Sequence, residues 1–373
     1  MEVQQVDSPA LLRRFIDLPY NLYRNVSCWI PPLRADVAAQ LSARNNPFFR
    51  HASHALFLAT DKGMDLGRMA VFYNFKHNRV HETNIGMFGF LDVIDDVAIT
   101  SRLMAAASAW LGPYHVTALR GPFNPDINAP AGILMDAYDQ PPMVFMTYNH
   151  PYYPLHLESL GFRMIRDLYA YDVTAQKSLL ERYKEIANTQ EERGRFTIRT
   201  PNMRRFWQEV EKLKCIYNEA WSDNWGALPL DDEEFAHLAK NLRRIIDPDL
   251  VYIAEVNGQP AGFALTIPNI NEALAHLPDG RLFPFGWIKL LWHKRNVKTL
   301  RVFAMGVLKP YRHLGIDAAF YWRTFETGLA KGYRHGEMSW IVEDNIPMIC
   351  VMEKVGARRY KTYRIYERHV SQQ

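Results

Sequence analysis

Two consecutive copies of one α/β unit, each a mixed and mostly antiparallel sheet with helices on both faces, account for the patterning of this 373-residue chain. The first sign is an internal repeat. "ALFLATDKGMDLG" (55–67) aligns with "LVYIAEVNGQPAG" (250–262), placing Ala59 on Ala254, Gly63 on Gly258 and Gly67 on Gly262. "LESLGFRMIRDLYAYDV" (157–173) aligns with "MEKVGARRYKTYRIYER" (352–368), placing Glu158 on Glu353, Gly161 on Gly356 and Tyr171 on Tyr366. Every pair is 195 positions apart, and equal offsets at both ends of a domain-sized stretch mark a duplicated unit. The second sign is the interleaving of period-two and period-3.6 runs, which mixed α/β layers require.

The second copy reads most clearly. "FTIRT" (196–200) alternates as a strand, and 203–221 is a helix with Phe206, Val210, Leu213 and Tyr217 on one face. A further helix over 231–246 starts at Asp231, an N-cap with acids in the following turn. "LVYIAEVNGQPAGFALTI" is a hairpin turned at Asn257-Gly258. A strand over 300–307 leads through "LKPYRHLG" to a helix whose apolar positions Ala319, Trp322, Phe325 and Leu329 step by three and four, ended by Gly332. A strand at 337–343, a short helix at 347–355 closed by Gly356, and a strand over 359–368 complete it. The middles of the copies differ by insertions, 121–142 in the first and 271–292 in the second. The expected organisation is an N-terminal domain over 1–173, a charged helical linker over 174–195 and a C-terminal domain over 196–373.

Bulk composition narrows the function classes. With 48% hydrophobic and 23% charged residues the chain is globular, not disordered. A net charge of +4 without a Lys/Arg tract gives no nucleic-acid footprint. Three separated cysteines, Cys28, Cys215 and Cys350, form neither a disulfide framework nor a metal-ligand spacing and fit a reducing cytoplasm. The opening "MEVQQVDSPALL" has no basic start followed by an apolar run, so export is not expected. No stretch reaches the roughly 20 apolar residues that span a bilayer. A cytoplasmic location follows, with the inner face of the membrane as a peripheral alternative.

A strand feeding a glycine-bearing turn that opens a helix aims backbone N–H groups and the helix dipole at one point, where anions bind. In "KPYRHLGIDAAF" (309–320), Arg312 adds a charged donor and Gly315 permits close backbone approach. This segment and the element order resemble the GNAT superfamily, whose members transfer acyl groups from acyl-CoA, usually to amines. The family pattern Arg/Gln-x-x-Gly-x-Gly/Ala stands here as Arg312-His313-Leu314-Gly315-Ile316-Asp317. "MEKVGA" stands where the family has Tyr-Glu-Lys-Leu-Gly-Phe, and Asn345 where it often places an Asn beside the cofactor. The resemblance covers 196–368 well and, through the repeat, 50–173 in degenerate form.

That resemblance implies a donor site for acetyl-CoA or a longer acyl-CoA, with Met305, Gly306 and Val307 beside the pantetheine arm and no metal. Asp317 departs from the pattern, since a carboxylate beside a diphosphate is unfavourable. Met352 stands where many members carry the tyrosine that protonates the departing thiolate. The first copy carries Asp92, Asp95 and Asp96 in place of a cationic turn, a pattern that reads as a helix-start cap and repels a diphosphate. Candidate bases are Glu343, Asp344 and Glu337; Tyr363 and Tyr366 are candidate acids. In "WSDNWGALPL" (221–230), Trp221 and Trp225 offer an apolar wall, with Asp223 and Asn224 able to orient an amine.

The segment 281–301 holds six Lys/Arg, no acid, and Phe283, Phe285, Trp287 and Trp292, a composition suited to a membrane surface or an acidic acyl-carrier protein. The function expected is N-acyl transfer from an acyl-CoA or carrier-protein thioester to a small-molecule or lipid amine, in the C-terminal copy. The rival readings are an inactive ligand-binding member and an interfacial lipid-associated protein of the long-chain N-acyltransferase type.

Overall fold

In the computed structural model, residues 1–125, 128–173 and 177–370 are described. The chain opens with strand β1 (Glu2–Gln5) and helix α1 (Pro9–Leu22), where Ser8 accepts the Leu11 N–H and proline takes the first helical position. Helix α2 (Arg34–Gln40), strands β2 (Ala52–Asp61) and β3 (Met64–Asn74), helix α3 (Phe75–Val80) and strand β4 (Ile85–Val93) follow. Asp96 caps α4 (Val97–Leu111) by accepting from Ala98 N–H. Asp92 instead pairs with Arg68 at 2.7 Å, and Asp95 with His156 at 3.2 Å. Then come β5 (Ala118–Gly121), β6 (Ile133–Leu134), α5 (Tyr152–Ser159), β7 (Arg163–Val173) and α6 (Lys177–Glu192), the expected linker helix; 174–176 lie outside the described residues.

The second repeat continues with β8 (Thr197–Arg199), α7 (Phe206–Ala220) and α8 (Asp232–Leu242). The predicted face of α7 is the one that packs, Val210 being buried with Phe206, Leu213 and Tyr217 around it. Asp231 caps α8 in a reciprocal capping box with Glu234. Hairpin β9 (Val251–Val256) and β10 (Gln259–Pro268) turns at Asn257 and Gly258, both with positive φ, as a two-residue hairpin turn requires. Helices α9 (Asn271–Leu274) and α10 (Gly286–Lys294) form the insertion. The chain ends with β11 (Thr299–Val307), a 3₁₀ turn (Lys309–Leu314), α11 (Ile316–Ala330), β12 (His335–Val342), α12 (Ile346–Lys354) and β13 (Arg358–His369).

Two compact units result, each assembled from separated segments. The first comprises Met1–Leu168, Asn271–Lys294 and Lys361–Gln373; the second comprises Tyr169–Ile270 and Arg295–Tyr360. In the first, strand order is β1-β2-β3-β4-β5-β13, with β6 also on β13. All neighbours are antiparallel except β4 and β5. Its core gathers Phe88, Leu103, Tyr153, Phe162 and Tyr366. In the second, the order is β12-β11-β10-β9-β8, again with one parallel pair, β11 with β12. Its apolar clusters centre on Phe320 and Ile316 on one part of α11, and on Tyr321, Met338 and Met352 on another.

On α11 the buried face differs from the expected stripe. Phe320, Thr324 and Gly328 are inside, whereas Leu329 is 48% exposed. A Cβ at Gly328 would stand 3.0 Å from Leu300 Cδ1, so the small residue brings helix and strand together, a fit that hydropathy does not register.

Candidate acyl-transfer site

Strand β11 is paired along its whole length on one side and along only part of it on the other. With β10 its register runs from Leu300↔Pro268 to Val307↔Gly262, with a shift at Leu265/Thr266 that leaves Phe303 as the extra residue of a bulge. With β12 the parallel pairing runs from Thr299↔His335 to Val302↔Met338. Among the described residues no ladder continues it over 304–307. Apart from Val307 O, which accepts from Arg312 Nε, alternate backbone N–H and C=O groups of that stretch therefore face an edge that no strand pairs. An extended, amide-bearing chain can pair with such an edge.

The edge runs into the turn and α11. Gly315, at φ 80° and ψ 19°, is the N-cap, and no side chain caps the helix. The first N–H groups of this 15-residue helix thus have no capping side chain. Asp317 stands in the first turn of α11. Its negative charge acts on Tyr183 and Tyr321, whose hydroxyls burial, first, and Asp317, second, make harder to ionise. Arg312 and His313 are exposed. The Arg312 guanidinium folds back, Nε donating to Val307 O at 3.1 Å and Nη2 to Ala220 O at 3.5 Å, which ties the end of β11 to the end of α7. Gly315 also accommodates α6: a Cβ there would lie 3.2 Å from Ile186 Cγ2.

The residues after α7 reach the same place. A Cβ at Gly306 would come within 2.3 Å of Trp221 Cζ3, so the indole rests on the strand backbone. Trp221 stacks on Tyr217 with centroids 4.8 Å apart and meets Phe263 at 5.6 Å. Asp223 pairs with Lys309 at 2.6 Å, which holds its carboxyl below the usual range. Asn224 N–H donates to Trp221 O, and Trp225 is half-buried beside it. Met305, Gly306, Val307, Arg312, Trp221 and Asp223 are therefore brought together at one end of β11.

The candidate acid–base groups are more scattered. Glu343 is half-buried and Asp344 exposed in the turn after β12; Asn345 caps α12, accepting from Met348 N–H at 3.3 Å. Glu337 is fully buried, accepting from Ser339 Oγ at 2.5 Å and from the Tyr360 hydroxyl, with Arg301 Nε 3.9 Å away. These partners engage both its oxygens, which suits a structural anion better than a base. Tyr366 belongs to the first unit. It is buried in the first unit's core, donates to Glu158 at 2.7 Å, and resists ionisation because of burial and that carboxylate. Tyr363 is also buried in that unit. Met352 is buried in the second unit's core.

Sequence reasoning missed a cavity of about 50 Å³ within the second unit, lined by residues of β11, β12 and α11, Met305 among them. Val302, Tyr321, Phe325 and Met338 give it an almost wholly apolar lining. Only the contact between Gly328 and Leu300 marks it, and no residue spacing does.

The equivalent strand of the first unit is covered by its own chain. Parallel pairing of β4 with β5 runs only from Ile85↔Ala118 to Met87↔Arg120. Beyond it, Phe123 N–H donates to Phe88 O at 2.8 Å, and Phe90 N–H to Asn124 Oδ1 at 2.6 Å. A Cβ at Gly89 would fall 1.7 Å from Phe123 O. The loop thus occupies the edge that β11 leaves open.

The open edge of β11 and the uncapped start of α11 fit a thioester carried on a pantetheine arm and diphosphate. Lys309 and Arg312 stand beside that helix start, at present bound to protein groups.

No family model matches the chain. It is 38% identical over 378 residues to a bacterial ceramide synthase of Caulobacter vibrioides (strain NA1000 / CB15N), covering 99% of this chain and 97% of that protein. It is 36% identical over 370 residues to Protein YghO of Escherichia coli (strain K12), covering 96% and 93%. Among solved structures, a tandem GNAT protein from the clavulanic acid biosynthesis pathway superposes with a TM-score of 0.59 at 12% identity, over 100% of this chain and 99% of that one. A GCN5-related N-acetyltransferase from Sphaerobacter thermophilus gives 0.53 at 14%, over 99% and 95%. At such identities these two establish the fold alone.

Proposed function

Since the chain belongs to the family of the Caulobacter bacterial ceramide synthase and is an acyltransferase of tandem GNAT-like fold, we propose that it N-acylates a long-chain lipid amine, using a long-chain acyl thioester, at the second unit. The observation that carries this reading is the edge of β11 over 304–307, which no strand pairs beyond Val302↔Met338, continuous with the uncapped N-terminus of α11. The apolar lining of the cavity that includes Met305 suits the first carbons of a hydrocarbon chain on the donor. The lipid amine is taken from the relative's name.

In this reading the backbone of Met305, Gly306 and Val307 holds the pantetheine arm, and Gly315 to Asp317 present N–H groups to the diphosphate. Lys309 and Arg312 add positive charge, with His313, Leu314 and Asn345 flanking. The thioester supplies an activated acyl carbon with a thiolate leaving group. A strand N–H directed at the thioester oxygen stabilises the oxyanion that forms on attack. Trp221 and Trp225 wall the acceptor side, and Asp223 or Asn224 orients the amine. Glu343 or Asp344 takes the proton that the amine must lose. Tyr366, buried in the first unit, is not assigned the acid's role. The first unit, its strand edge filled by Phe123 and Asn124, is the degenerate copy.

The test is direct. Purified full-length protein, supplied with palmitoyl-CoA and a long-chain amino alcohol, should yield the amide by mass spectrometry. Absence of amide, with no palmitoyl-CoA binding by calorimetry and no transfer from palmitoyl-acyl-carrier protein, would refute the proposal.

A further inference from the structure

The insertion of the second repeat, which packs with the first unit, carries a surface that acyl transfer alone does not explain. Phe283 is 80% exposed, Phe285 68%, Trp292 67% and Leu291 56%, and α10 contributes no buried residue. Positions 287, 288, 291 and 292 follow the helical i, i+1, i+4, i+5 spacing, so Trp287, Ile288, Leu291 and Trp292 form one outward stripe. The opposite side of α10 is seated on its own unit, where His293 stacks on His276 with centroids 3.5 Å apart. The stripe is therefore held in place. Contiguous exposed apolar surface of this kind marks a binding face.

We propose that α10, with Phe283 and Phe285, docks this chain on a bilayer surface rich in anionic lipid. Charge selects that occupant. Arg281, Lys289 and Lys294 accompany the stripe in its own unit, and 280–294 contains no acid. Arg281 and Lys289 are exposed. Aromatic side chains entering the acyl boundary while cations meet headgroup phosphates is the pattern of an interfacial helix. A second copy of the chain is disfavoured, because a two-fold contact would set the same cations against one another. No helix among the described residues is long and apolar enough to cross a membrane, so the mode is lying on the surface.

Sedimentation of the full chain with phosphatidylcholine vesicles, with and without phosphatidylglycerol, tests the proposal without reading turnover. It therefore stands or falls separately from the substrate assignment. The protein should pellet with the anionic vesicles, and Trp287→Ser/Trp292→Ser should lower the partition coefficient by about tenfold or more. Lys289→Glu should weaken binding to anionic vesicles, and raised salt should do the same. Unchanged melting temperatures would show the variants folded. Equal partitioning to both vesicle types, or a double variant that pellets like the parent, would overturn the proposal. So would light scattering that shows a parent dimer and a monomeric double variant, which would make the face a self-association contact.

Discussion

Trp221 rests against Gly306: a methyl on that glycine would stand 2.3 Å from the indole Cζ3. The contact places the aromatic end of α7 on the strand segment whose other edge is open, and so defines one wall of the proposed reaction centre.

Gly306→Ala should displace the indole and misplace the reacting groups, lowering kcat/KM by about tenfold to a hundredfold. Trp221→Ala alone should weaken acceptor use. The double variant should lose less than the two losses combined, because one change removes what the other strikes. Steady-state kinetics on the four proteins measures the coupling; strict additivity would disconnect the two residues.

Gly315 holds φ 80° with Ile186 close by. Gly315→Ala should cost about 1–2 kcal/mol from backbone strain and raise the donor KM. Gly315→Asn should be milder in strain, since Asn enters the left-handed region more readily. Ile186→Ala should relieve the steric part only. Denaturation curves and donor titrations separate the two contributions.

Val302 lines the apolar cavity beside Met305. Val302→Phe should fill that space and reduce kcat/KM for palmitoyl-CoA by about tenfold or more relative to a short-chain donor. Competition between the two donors gives the ratio. An unchanged ratio would place the acyl chain elsewhere.

His77 is 4% exposed, and its pKa is pushed down to about 3 by burial, then by His81 and Arg120. It stays neutral in the folded protein while the unfolded chain binds a proton below about 6.5. Its contribution is therefore complete above about pH 6.5 and is lost as pH falls toward 3. Melting temperature against pH should drop less steeply over that window in His77→Phe than in the parent. Parallel curves would contradict the sign.

The elements near the site were legible because their signals are local. Asp231, with acids in the turn after it, announced its helix as an N-cap, Asn257-Gly258 its hairpin, and Gly315 the opening of α11. The 195-residue offset carried the duplication. What stayed hidden depends on contacts distant in sequence. The repeat aligns 352–368 as the close of the second copy, yet residues from Lys361 onward pack with the first unit, where Tyr366 pairs with Gly121 and Tyr363 with Leu134. Strand alternation states which face is buried and not which sheet is joined. Arg312 was legible as a cation beside the turn, whereas its bonds to Val307 and Ala220 were not.

Amide hydrogen exchange of the full-length protein, with and without palmitoyl-CoA, tests the central claim most directly. Added donor should slow exchange at 304–307 and 315–318, the open edge of β11 and the start of α11, and leave 87–93 of β4 unchanged. Protection at 87–93 instead, or none at 304–307 with donor bound, would contradict the assignment of the donor to the second unit.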